Sequence, residues 1–375
     1  MAEFKKTSLL KFASTLWSRH SYIFVFVVLL GAYALTIQNS GKSFSSGHVT
    51  AVLASQNTVV VGAMAIGMAL VIITGQIDLS VGSAMVFTSG VTIVVFNVTG
   101  SIFLTILAAL ASGAFLGLIN GILVAYAKIP PFIVTLGTML IFRSLALWAV
   151  RQIPPEITGS SSSQFALIDD RPGYEFMRMQ FGTGSMKLLG LSVPYVSLLF
   201  LAFLVLFVFI ANNTKYGKAV YAVGSNEKAA RLSGLSVQRI RASVFVVTGL
   251  LVGIASIIQA CKVGNVTPAS SGRSFEMYAI AAVVLGGIAM AGGRGNMLGV
   301  LFGALSYASI DFIIVSIPAF SADIQDTFKG LVLILVILVQ TAGPGIRERL
   351  SQGWFRRTST AATESSPASQ GTKDE

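Results

Sequence analysis

The stretch VIITGQIDLSVGSAM, residues Val71–Met85, decides how the rest of the chain is read. An apolar run enters Thr74-Gly75-Gln76, meets Asp78, passes Ser80, Gly82 and Ser83, and turns apolar again. Lipid offers no hydrogen-bond partner, so backbone of this kind survives at membrane depth only inside protein or beside water. An ionisable side chain there costs on the order of 3 kcal/mol and marks a functional place by default. The stretch is therefore expected to line a polar path through a helix bundle. The plainer alternative is an ordinary loop just outside the membrane.

Composition supports a membrane setting. Of 375 residues, 54% are hydrophobic and only 11% charged, against about a quarter charged in soluble domains. Mean hydropathy is +0.78. The net charge of +11 is thus read by location, and with no nucleic-acid module present, nucleic acid is not an expected partner. A single cysteine, Cys261, rules out an internal disulfide or a cysteine-based zinc site. His20 and His48 stand alone, so no metal site is expected. Lys5, Lys6, Lys11 and Arg19 before an apolar run resemble a signal peptide, but Ile37-Gln38-Asn39-Ser40-Gly41 is a poor cleavage site and the run is taken as an uncleaved first span.

Windows of membrane length predict an all-α polytopic protein with ten spans. They lie near 21–38, 50–73, 79–97, 102–126, 130–150, 190–211, 242–260, 276–291, 297–316 and 327–341. Residues 1–20 form an N-terminal segment, 21–345 the transmembrane domain, and 346–375 a largely disordered tail rich in Ser, Thr and Ala. Lys128, Lys215 to Arg241, Arg294 and the run Arg347, Arg349, Arg356, Arg357 would share one side with the basic N-terminus. That asymmetry places both ends in the cytoplasm. The neutral 151–189 loop then lies outside, either as a folded cap or as a contact for an extracytoplasmic partner.

Gly113, Gly117 and Gly121 in the fourth span, and Gly295, Gly299 and Gly303 in the ninth, recur every four residues. Such stripes let helix backbones approach closely. Their spacing of five spans, with Asp78 falling opposite Glu276, suggests an inverted repeat of helices 2–5 and 7–10, the usual build of a transporter whose path lies at the repeat interface.

The inside connection at 212–241 holds a compact unit, Glu227 to Gly234. Ser225 is expected to cap it, Glu227 to sit in its first turn, Ala229, Ala230 and Leu232 to give small apolar contacts, and Gly234 to end it. A short helix of this kind suits docking into a partner's groove. The alternative is a basic helix resting on anionic lipid.

No catalytic site is predicted. Gly41-Lys42-Ser43 lacks the leading glycine and the strand of a P-loop, and no HExxH or GxSxG occurs. An ATP motor would have to be another chain. Arg143, Asp311 and Lys329 lie in or near spans, where structural pairing or snorkelling accounts for each.

Together these motifs resemble the permease subunits of bacterial ABC-type sugar importers, in the ribose/xylose/galactose branch. The resemblance rests on Gly75-Gln76-Ile77-Asp78-Leu79-Ser80-Val81-Gly82-Ser83, and on Asn120-Gly121 with Pro130 to Thr138. It rests also on Ile280 to Gly287, on Gly292-Gly293-Arg294-Gly295, and on the Ala229-Ala230…Gly234 unit, similar to the family's coupling loop. It spans about 20–345. Gln76 stands where the family commonly has glycine, and Asp311 where relatives often have an amide, which leaves the cargo open. The resemblance implies a second permease subunit, a cytoplasmic ATPase that carries ATP and magnesium while this chain binds no cofactor, a periplasmic sugar-binding protein, and a place in the inner membrane. It also implies a neutral sugar or polyol as cargo, with Gln76, Asp78, Ser80, Ser83, Asn120, Phe132 and Thr135 along its path. Of these, Asp78 would chiefly hold the motif's backbone. The alternatives are a nucleoside or branched-chain amino acid permease and, further off, an ion-coupled transporter using Asp78 and Glu276.

Overall fold

The computed structural model describes residues 22–317 apart from 56, 189 and 190, with scattered helical positions between 324 and 338. The expectations for residues 1–20, for most of the tenth span and for the tail lie outside the described residues. The chain divides into two compact units at Phe320, and the helices named below all belong to the first.

In chain order the helices are α1 (Tyr22–Asn39), α2 (Ser46–Ala54), α3 (Gly62–Ile73), α4 (Val81–Thr99), α5 (Ile102–Ala125), α6 (Pro131–Gln152) and α7 (Pro155–Thr158). Then come α8 (Tyr174–Arg178), α9 (Tyr195–Asn213), α10 (Lys215–Ser225), α11 (Glu227–Leu232), α12 (Val237–Val263), α13 (Phe275–Leu285) and α14 (Gly299–Ser316). Seven of these are long and apolar enough to cross a membrane, or eight if α2 and α3 form one broken span. The protein is a polytopic all-α membrane protein. The ten-span expectation needs one correction among the described residues. The eighth, expected over 276–291, is α13, which stops at Leu285 after 11 residues. At 1.5 Å per residue that covers about half a bilayer core.

All twelve residues of α3 are buried, so α3 is the axis of the fold. It is apolar on every face because every face meets protein. Around it stand α12, α13 and α14, while α12 also lies along α4 and α5. The Gly113–Gly117–Gly121 stripe of α5 does permit close approach. A Cβ on Gly121 would sit 2.7 Å from the Ala242 carbonyl oxygen, and Gly113 and Gly117 face the carbonyls of Gly249 and Phe245. The partner stripe is Gly249 and Gly253 on α12, themselves seated against Gly113 and Ala109.

The second stripe differs from expectation. Gly299 and Gly303 lie in α14 and meet Gly286 and Ala282 of α13, but Gly295 precedes the helix. Its φ of +136° belongs to a loop conformation that glycine tolerates, so it is not a helix-packing residue.

The 151–189 loop folds as a cap. β1 (Phe165–Ala166) pairs antiparallel with β4 (Asn265–Val266), and β2 (Ser185–Leu188) with β3 (Leu191–Pro194). Its Phe165 and Met177 are buried. Asn97, near the end of α4, donates to the carbonyls of Ile157 and Ala166 and accepts from the Ile168 amide, fixing the cap to that end of the bundle.

Candidate functional site

Between α3 and α4 the chain does not leave the bundle. Ile73, at the end of α3, accepts a hydrogen bond from the Gly293 amide at 2.8 Å. Gly82, in the first turn of α4, meets the Gly272 carbonyl and the Glu276 carboxylate at the start of α13. Residues 74–80 thus climb from one end of α3 into the interior, and α4 continues from there to the cap. Residues 267–274 make the converse passage, from β4 beside the cap inward to α13. The amino ends of two broken helices meet within the bundle.

The inward passage at 74–80 is held by its own polar groups. Ser80 donates to the Asp78 carboxyl through both Oγ (2.7 Å) and its amide (2.8 Å). Asn120 of α5 donates to Ser80 Oγ at 2.8 Å. Ser83 donates to the Ser80 carbonyl, and Thr135 of α6 to the carbonyls of Ile77 and Pro131. Thr74 donates to the Val71 carbonyl at 2.7 Å and lies 3.5 Å from the Gln76 amide oxygen. The Ser80 amide and the Val71, Ile77, Ser80 and Pro131 carbonyls thus find side-chain partners that lipid would not supply.

Of the residues expected along a path, Gln76, Asp78, Ser80, Ser83, Asn120 and Thr135 are all buried, and only Phe132, at 57% exposure, faces outward. Asp78 is therefore sheltered by protein rather than set in open solvent. A narrow, water-sized cavity lies beside Asp78, Ser80 and Asn120, lined also by Gly117, Thr248 and Val252. The Asn120 Oδ1 atom is buried without a hydrogen-bond partner.

The second passage is held from α6. Arg143 donates through Nη1 to the Pro268 carbonyl (2.8 Å) and to that of Ser271, and through Nη2 to Gly272 (3.3 Å). Structural pairing, expected for Arg143, is thus observed. Ser274, a non-glycine residue with φ of +62°, starts α13 in a left-handed conformation that costs on the order of 1 kcal/mol.

At the other surface, α11 forms over Glu227–Leu232, close to the unit expected. The cap is corrected: Ser225 ends α10, and Asn226 caps α11 by accepting from the Ala229 amide at 3.0 Å. Gly234 follows with φ of +81°, as a helix stop requires. Glu227 accepts from Arg231 (3.0 Å) and from Arg241 of α12 (2.8 Å). Partial desolvation works to raise its carboxyl, but the two guanidinium groups outweigh this and hold it below the usual range. Ala230 is buried against Val223 and Val237, so it anchors the helix rather than forming its outer face. Ala229 and Lys228 are exposed, and Leu232 is 89% exposed.

Sequence reasoning missed the knot behind α11. Gly224 packs on the Ile73 carbonyl and the Gly293 amide, Gly293 on Ser225, and Gly292 on Gly75. Tyr221 donates to the Gly295 carbonyl at 3.0 Å. Gly292-Gly293-Arg294-Gly295 was the available signal, but nothing in spacing alone joins it to 224 or 75.

Comparison with known proteins agrees with this architecture. The family described as branched-chain amino acid transport system / permease component matches residues 49–337. The ribose import permease protein RbsC of Escherichia coli K12 is 34% identical over 313 residues, covering 84% of this chain and 91% of that protein. The xylose transport system permease protein XylH of the same organism is 33% identical, covering 88% and 94%. RbsC of Bacillus subtilis is 36% identical, covering 74% and 80%. No solved structure matches the chain. A core of broken, glycine-packed spans and a match across most of the sequence lead to one conclusion: the chain belongs to the branched-chain amino acid transport system / permease component family.

Proposed function

We propose that this chain is the membrane permease of an ATP-driven importer that passes a sugar or polyol across a bacterial inner membrane. The carrying observation is similarity along most of both chains to permeases named for ribose and xylose. ATP and magnesium belong to a separate cytoplasmic ATPase, because no phosphate-binding loop occurs in this sequence. A second permease subunit completes the pathway, and a periplasmic binding protein delivers the cargo. Both termini lie in the cytoplasm with α11, whose exposed Ala229 and Leu232 suit a groove on the ATPase.

In this reading Asp78, Ser80 and Asn120 shape the inward passage rather than grip cargo. Glu227 and Ala230 fix α11 to α12, so a push on α11 reaches a helix lying along α3, α4 and α5. The test is uptake into proteoliposomes holding the permease with its ATPase and binding protein. ATP-dependent entry of labelled ribose or xylose is expected, with no competition from leucine or a nucleoside. Entry driven by a sodium or proton gradient without ATP, or leucine entry alone, would overturn the proposal.

A further inference from the structure

Arg143 lies near the middle of α6, whose 22 residues span about 33 Å. It is only half-buried, as is Glu276, and Arg273 beside them is exposed. Glu276 and Arg143 are close enough to act on each other electrostatically, yet no ion pair within 4.0 Å joins them among the described residues. Charged groups halfway along a span do not face lipid; they face protein or a water-filled cavity.

Their hydrogen-bonding capacity is incompletely used. A guanidinium carries five N–H donors. Three hydrogen bonds go to the 268–272 carbonyls, none of them from Nε. The Glu276 carboxylate accepts from its own backbone amide, with room for further donors on a group of about four lone-pair sites. A donor fork beside an acceptor is the chemistry that binds adjacent hydroxyls. It stands where the two broken helices meet, with Gly82 against Glu276.

We propose that Arg143 and Glu276 form the cargo-contact site of this permease, binding hydroxyls of a sugar or polyol halfway across the membrane. The site rests on the proposed sugar-importer function and names the residues that read the cargo. Arg143 has a second task in holding the 267–274 passage, so Glu276 is the cleaner probe.

Two measurements on the assembled importer in liposomes test it. Cys261 is the chain's only cysteine and is buried, so it gives a silent background for Met277→Cys, a position 52% exposed beside Glu276. A charged, membrane-impermeant thiol reagent should modify Met277→Cys. Glu276→Gln should change the ratio of ribose to xylose uptake at least about fivefold, and Glu276→Asp should restore it in part. A Met277→Cys thiol that stays inert in every nucleotide state, while Lys228→Cys reacts, would place the face in lipid and overturn the site. So would an unchanged sugar ratio in Glu276→Gln. Wild-type vesicles that import no sugar with ATP would instead overturn the function itself.

Discussion

Ser80 is the hinge pin of the inward passage because it holds Asp78 and Asn120 at once. Removing its hydroxyl would take one donor from a buried carboxyl and strand the Asn120 amide, and a stranded buried polar group costs about 1–3 kcal/mol. Asn120→Ala removes less, since the Asn120 Oδ1 atom already lacks a partner. Ser80→Ala is therefore expected to destabilise the permease by about 2–3 kcal/mol and to lower its Tm more than Asn120→Ala. Thermal unfolding in lipid nanodiscs decides the order, and the reverse order would refute this division of roles. Residue types at this site were legible in the sequence: a carboxyl, hydroxyls and glycines between two apolar runs had to be sheltered. Their direction was not legible. Hydroxyls suitable for a channel wall are equally suitable for tying backbone, and only contacts from distant helices, Asn120 on Ser80 and Thr135 on the Ile77 carbonyl, separate the two.

Helix existence was also legible, since membrane-length apolar windows leave little choice. Helix partners were not. The α5 stripe has its partner in α12 at Gly249 and Gly253, and the α14 glycines have theirs in α13. Equal spacing in the sequence therefore hid unequal neighbours, and Gly295 fell on a loop. A side chain at Gly117 would run into the Phe245 carbonyl, and overpacking of this kind costs about 1–3 kcal/mol. Gly117→Val should thus be destabilised by that amount, whereas Gly137→Val should be near neutral, because a Cβ there meets nothing within 4 Å. Equal denaturation midpoints for the two variants would show that the α5–α12 approach does not need the stripe.

At the scale of the molecule, the contacts among the described residues are those that a twofold exchange of helices requires. α3 packs with α12, α4 with α5 and α12, and α13 with α14 and α3, which is the set that an exchange of α3–α5 with α12–α14 requires. We infer that the halves rock about the point where Gly82 meets Gly272. In the proposed reading the rocking is driven from α11, and the glycine knot offers the shortest route. Gly224, two residues before the Asn226 cap, lies against both Ile73 of the first half and Gly293 of the second. Backbone packed on backbone transmits displacement with little slack. A methyl at Gly224 would wedge the three strands of chain apart, because its Cβ would collide with the Ile73 carbonyl. Gly224→Ala should therefore still assemble with the ATPase but use several times more ATP for each sugar imported. The ratio of phosphate released to sugar accumulated, measured in the same liposomes, checks this. A ratio equal to wild type at equal uptake would mean that force enters elsewhere, with the Glu227–Arg241 contact to α12 as the remaining route.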